Sequence, residues 1–203
     1  MLYVGEAVRH RRAIAAVALL LALLTTACGP GAGAAADDPG KLNIVTTVSP
    51  ITSIVSSVVG DLAEVRGLVP EGVNSHTFEP PPSAARTLAR ADVVFVNGLK
   101  LEDPTAELAA ENLGAGAEVV SLGDATITPS EYLYDFSFPR EEGKPNPHLW
   151  TNPPYAKEYA RVVKDVLARR DVAHAPEYAA NYERFAAKVD ELDAAMKLSL
   201  IHI

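Results

Sequence analysis

Imidazole is the side chain in this chain best suited to chemistry. Five histidines occur among the 203 residues, and their surroundings separate them. His76 lies in Gly72-Val73-Asn74-Ser75-His76-Thr77-Phe78-Glu79-Pro80, and His148 in Pro145-Asn146-Pro147-His148-Leu149-Trp150. Both sit in proline-rich backbone, which restricts φ and lowers the entropy lost when a ligand position is fixed. Neutral imidazole is the commonest protein ligand for zinc and also serves manganese. His76 and His148 are therefore the candidate metal ligands. Histidines on loops are also often no more than loop residues, and spacing alone leaves both readings open. A metallohydrolase would use two histidines as well, but it needs an open coordination position and a general base. Glu79 is the nearest such base, and a Glu directly before proline reads as structural. His174, in Arg169-Arg170-Asp171-Val172-Ala173-His174, reads as an exposed histidine in a helix connection. His10 and His202 fall in terminal segments and are not candidates. No catalytic residue is assigned.

These loops need a scaffold. Leu42 to Val48 is a run of Leu, Ile, Val and Thr that reads as a buried strand. With Ser49 as N-cap and Pro50 at the first helical position, Ile51 to Val59 reads as a helix that Gly60-Asp61 ends. Glu64 to Val69 is a second strand. Pro70 to Pro82 is too rich in proline to be regular. Ser83 is expected to cap a short helix to about Arg90. Val93 to Val96 is a third strand, Asp103 to Leu113 a helix with Pro104 in its first turn, and Glu118 to Ser121 a fourth strand. Such alternation implies the α/β class: a small parallel sheet with helices on both faces, built by right-handed crossovers. Ligands of such sheets bind at the carboxyl ends of the strands. His76 follows the second strand. His148 ends residues 122–147, which follow the fourth strand and read as a long structureless loop of the functional or mobile kind.

Asn152-Pro153 opens a helix to about Arg170, with Tyr155, Tyr159, Val162, Val163, Val166 and Leu167 on one stripe. A last helix starts near Pro176. Its apolar residues Tyr178, Tyr182, Phe185, Val189, Leu192 and Met196 recur at spacings of 4, 3, 4, 3 and 4. Roughly 20 residues of helix reach about 30 Å, the width of a small domain. This helix is therefore expected to cross the lobe and end on its far side.

The N-terminus and the charge bound the setting. Arg9, Arg11 and Arg12 precede an unbroken apolar run, Ala13 to Leu24, too short to span a bilayer and suited to a signal peptide. The small residues Thr25, Thr26 and Ala27 lead to Cys28, the only cysteine. A single cysteine makes no internal disulfide, and one at this position resembles the lipidated cysteine of bacterial lipoproteins. Thr25 departs from the usual Leu or Val there. Residues 28–40 are rich in Gly, Ala and Asp and read as a flexible tether. The net charge of −8 argues against nucleic acid as a partner and suits a cation ligand.

The His76 and His148 segments, with Asn97-Gly98-Leu99-Lys100-Leu101-Glu102 after the third strand, resemble the cluster A-I type of bacterial zinc and manganese ABC-transporter substrate-binding proteins. In that family the ligands are the His of a Gly-x-x-x-His-x-(Tyr/Phe)-Glu-Pro segment, matched by His76, and the His of an (Asp/Asn)-Pro-His-x-Trp segment, matched by His148. The resemblance covers about Lys41 to Lys197. It implies two small α/β lobes joined by a long helix, with the metal between them. It further implies an exported, monomeric, non-enzymatic receptor that delivers zinc to an ABC permease and its ATPase, held to the membrane by the lipid on Cys28. Manganese or iron is the alternative cargo, and a metal-independent adhesin or scaffold lipoprotein the alternative role. Zinc-specific members often carry a His-rich loop between the first two ligands, whereas residues 122–147 hold no histidine.

The expected organisation is a signal peptide at 1–27, a tether at 28–40, an N-terminal metal-binding lobe at 41–174 and a linking helix at 175–197. Residues 198–203 break the helical spacing and resemble the translated end of a sequencing adapter. They are expected to be a non-native tail, with the second lobe, and the remaining ligands it would supply, missing. With only two ligands the chain is expected to bind metal weakly.

Overall fold

Two strands rich in β-branched residues, Asn-Ile-Val-Thr and Val-Val-Phe-Val, form the middle of the sheet, and two more polar ones, Glu-Val-Arg-Gly and Glu-Val-Val-Ser, form its edges. A computed structural model describes residues 40–201. Its strands are β1 (Asn43–Thr46), β2 (Glu64–Gly67), β3 (Val93–Val96) and β4 (Glu118–Ser121), all parallel, in the order β2-β1-β3-β4. Cys28, His10 and the rest of the leader and tether up to residue 39 lie outside the described residues, as do His202 and Ile203.

Successive residues of a strand face opposite layers, and both layers are filled. Ile44, Val93 and Phe95 join the core beneath α1 (Ser49–Val59), α4 (Leu122–Thr126), α5 (Pro153–Arg170) and α6 (Ala175–Ile201). Val45, Val94 and Val96 join a second cluster with Leu88 of α2 (Pro82–Leu88) and Ala109 of α3 (Asp103–Asn112). The central strand β3 is buried at every position, which explains its unbroken apolar run. Burying a side chain such as Phe95 is worth about 1.5–3 kcal/mol.

Helix starts differ from the expectation. Ser49 and Ser83 do not cap: the N-caps are Val48 and Pro81, and neither α1 nor α2 has a side-chain cap bond. Val48 is already extended, and its carbonyl accepts the Thr52 N–H at 3.0 Å, so Ser49 falls inside the first turn. The Pro81 carbonyl likewise accepts the Ala84 N–H at 2.8 Å.

Residues 122–147 are not structureless. They hold α4 and 3₁₀ turns at Pro129–Glu131 and Arg140–Glu142. The first turn is closed by a capping box, in which the Glu131 carboxylate accepts from the Thr128 N–H and hydroxyl at 2.9 and 2.7 Å. Satisfying backbone groups locally in this way lets a connection hold one shape without long secondary structure.

The final helix also exceeds its expected limit at Lys197 and runs to Ile201. No Pro or Gly interrupts it there, and adding a residue to an existing helix is easier than starting one. At 27 residues it is about 40 Å long. Its stripe is buried at Tyr178 and Val189, whereas Leu192 and Met196, on the same stripe, are exposed.

Candidate metal centre

Each candidate histidine is held by the same local device. Two residues before it an Asn turns back, and its side-chain oxygen accepts the histidine N–H. Asn74 Oδ1 does this for His76 at 3.0 Å, and Asn146 Oδ1 for His148 at 3.0 Å. Asn side chains favour such turns because their oxygen reaches a backbone donor two residues on. The two segments lie far apart in sequence, yet their ring Nε2 atoms stand 3.1 Å apart.

That spacing has chemical meaning. Two nitrogens bound to one zinc ion at about 2.0–2.1 Å and a tetrahedral angle stand about 3.3–3.4 Å apart. A movement of a few tenths of an ångström would therefore let both rings share an ion. Aromatic side chains frame the pair. Phe138 stacks on His76 at 6.0 Å between centroids and meets His148 edge-on at 5.4 Å, while Trp150 packs edge-on against His148 at 5.2 Å. His76 is exposed and His148 half-buried. Burial, and then the nearby His76, lower the pKa of His148, opposed by Asp135. The neutral ring, which is the form that binds metal, is thus favoured.

His148 also rests on a buried polar knot at the carboxyl ends of β1 and β3. Asn97 is fully buried. Its Nδ2 donates to the Pro147 carbonyl, directly before His148, and to the Gly98 carbonyl, each at 3.0 Å. Its Oδ1 accepts the Tyr159 hydroxyl of α5 at 3.0 Å. The Asn97 N–H and the Thr47 hydroxyl both donate to Glu102 Oε1 at 2.6 Å. Burial raises the Glu102 pKa against these bonds, and its Oε2 has no partner among the described residues. The chain reaches Glu102 through three left-handed residues in succession, Gly98, Leu99 and Lys100 (φ 77°, 54° and 63°). A Cβ at Gly98 would lie 1.8 Å from Ser121 Oγ, so glycine is required there. Left-handed non-glycine residues cost on the order of 1 kcal/mol or more each, and the knot holds them in place.

The other candidates separate cleanly. His174 is no free surface histidine. Its Nδ1 lies 2.7 Å from Asp171, which also accepts the Tyr178 hydroxyl at 2.9 Å, so it fastens the junction of α5 and α6. Glu79 is exposed on its loop. Among the described residues no three His, Cys, Asp or Glu side chains converge as a metal site. From the sequence Tyr159 is placed only on a helix stripe, Asn74, Asn97 and Asn146 only within longer segments, and Asp135 nowhere; none is expected to support a histidine. The local signals that could have pointed to them are the repeated Asn-x-His and, for Asn97 and Asn146, their places in the segments that carry the family resemblance.

Comparison with known proteins bears on this arrangement. The family model described as "Zinc-uptake complex component A periplasmic" matches residues 44–203. The manganese-binding lipoprotein MntA of Halalkalibacterium halodurans is 30% identical over 178 residues, 87% of this chain and 56% of that protein. The iron-binding protein YfeA of Yersinia pestis is 29% identical over 167 residues, 82% of this chain and 51% of that protein. The periplasmic zinc-binding protein TroA of Treponema pallidum superposes with a TM-score of 0.69 at 24% identity, over 77% of this chain and 54% of TroA, a likeness of fold. The chain thus spans little more than half the length of these relatives.

Proposed function

Because the chain belongs to the family of periplasmic component A proteins of zinc-uptake complexes, we propose that it is the metal-holding part of a receptor for an ABC importer. In this reading His76 and His148 bind one divalent transition-metal ion as cargo, with zinc the first candidate. Residues 41–174 form the metal-binding lobe, and the helix from Ala175 links it onward. A lipid on Cys28 holds the protein at the outer face of the cytoplasmic membrane. The protein acts as a monomer and passes its cargo to a permease driven by an ATPase. The family is one of transport receptors rather than enzymes, and no catalysis is proposed.

The observation that carries this reading is the 3.1 Å separation of two Nε2 atoms from loops 72 positions apart in sequence. Two imidazoles leave half of a four-coordinate shell to other ligands, so the chain alone should bind weakly. Titrating zinc into the full chain and into His76→Ala and His148→Ala tests the proposal. Weak binding by the parent, lost in both variants, supports it. Binding unchanged in either variant refutes it. Submicromolar affinity in the parent would contradict the two-ligand account.

Manganese or ferrous iron is the second reading. The names of MntA and YfeA favour it, and residues 122–147 lack the histidines that many zinc receptors of this type carry. Harder ions prefer more oxygen ligands, and competition among the three ions in one titration separates these cargoes.

A further inference from the structure

Behind the ring of His148 stand two residues in line, Asn146 and then Asp135. Asn146 Oδ1 accepts the His148 N–H at 3.0 Å and stands 2.9 Å from His148 Nδ1. On its other side Asn146 Nδ2 lies 2.6 Å from Asp135 Oδ2. Asp135 is itself fastened, because its Oδ1 accepts the N–H groups of Ser137 and Phe138 at 2.8 and 3.1 Å. The backbone N–H of Asn146 is tied to the Leu133 carbonyl at 2.7 Å.

Donor and acceptor rules then leave one arrangement. An ionised carboxylate only accepts, so the Asn146 edge facing Asp135 must be the NH₂. The opposite edge, facing His148, is the oxygen, which also only accepts. His148 Nδ1 must therefore carry the proton, and Nε2 is left as a bare lone pair. That lone pair points at Nε2 of His76, 3.1 Å away. Two bare nitrogens would repel at this distance, so in the metal-free chain the proton of this contact belongs to His76 Nε2.

We propose that Asn146, oriented by Asp135, is a positioning residue that locks His148 in the Nδ1–H tautomer and so presents Nε2 for metal. The proposal rests on His148 being a ligand, as argued above. Partners of this kind raise the basicity of a ligating histidine and fix its ring, and losing one typically costs about 10–100-fold in metal affinity. One Asn146 oxygen holds both the backbone N–H and the ring of the same histidine, which restrains the ring's orientation.

Nitrogen-15 NMR of the full, metal-free chain at neutral pH reads the tautomer directly through two-bond ring correlations, and zinc titration reads its consequence. The parent should show His148 with Nδ1 protonated. Asn146→Ala should release the ring to the Nε2–H form and weaken zinc binding about 10-fold or more. Asp135→Asn should act in the same direction, because the Asn146 amide loses its orienting acceptor. The exchange Asp135→Asn with Asn146→Asp keeps an acceptor on Nδ1 and a donor behind it, so it should restore both tautomer and binding even if Asn146→Ala proves unstable. A parent in the Nε2–H form, a tautomer unmoved in both Asn146→Ala and Asp135→Asn, or failure of the exchange to restore it would overturn the proposal. So would zinc affinity unchanged in Asn146→Ala where His148→Ala abolishes it. Zinc binding indifferent to His148→Ala would sink the ligand reading instead, and NMR would still decide the tautomer.

Discussion

Replacing Asn97 with alanine should unfasten the turn that carries His148. Asn97 is fully buried and holds three groups at 3.0 Å: the Gly98 and Pro147 carbonyls and the Tyr159 hydroxyl. Alanine fills none of these roles. The Pro147 carbonyl and the Tyr159 hydroxyl are each left without a partner in the interior, at about 1–3 kcal/mol apiece. A total near 3 kcal/mol is a large share of the roughly 5–15 kcal/mol that holds an ordinary domain together. With a urea dependence of about 2 kcal/mol per molar, the unfolding midpoint should fall by roughly 1.5 M. Tyr159→Phe strands only Asn97 Oδ1 and should cost about 1–2 kcal/mol. Both variants delete the same bond, so the double variant should cost less than the two singles together, by about 1 kcal/mol. Urea unfolding followed by circular dichroism, with chelator present, measures all four proteins. A midpoint shift below about 0.3 M for Asn97→Ala, or strict additivity in the cycle, would refute this view of the knot.

Other outcomes follow from the same geometry. Burial raises the Glu102 pKa above its ordinary 4.5, so the folded form is favoured below that value and loses stability as pH rises through the raised one. Glu102→Gln keeps an oxygen for Asn97 and Thr47 and should remove that loss, seen as a stability difference from the parent that grows with pH above 4.5. For His148 the sign is opposite: burial and His76 hold its pKa below 6.5, so stability is intact above 6.5 and declines as pH falls through it. His148→Gln should flatten that decline in thermal melts. Phe95→Ala, at a fully buried position, should cost about 3–5 kcal/mol, whereas Phe136→Ala, at a fully exposed one, should change stability by less than about 0.5 kcal/mol. Zinc affinity should fall between about pH 7.5 and 5 as the imidazoles protonate. A flat profile by calorimetry would contradict the imidazole ligands.

Much of the scaffold is legible because it is local. Val93–Val96 is a short apolar run between Asp92 and Asn97-Gly98, Glu118–Ser121 centres on Val119-Val120, and both strands occupy the expected residues. The helix from Pro153 to Arg170 is equally plain from its opening proline and its single stripe. Caps are less legible, since a carbonyl such as that of Val48 can open a helix with no help from its side chain. The order within residues 122–147 depends on bonds between polar side chains and nearby backbone, which leave no periodic trace. The convergence of His76 and His148 at the sheet's carboxyl edge agrees with the topology expected from alternating strands and helices. The knot beneath them could not be read in advance. Asn97 and Tyr159 are 62 positions apart, and only the packing of α5 against the sheet brings them together. Asp135 and Asn146 are hidden for a related reason: nothing local marks either as a partner of the other.

If one ion is shared by two imidazoles, a crystal of the full chain soaked in zinc will show it. Anomalous diffraction at the zinc edge should give a peak about 2.0–2.1 Å from both His76 Nε2 and His148 Nε2. A zinc ion bound elsewhere, or held by one of these rings while the other points away, would rule out a shared ion.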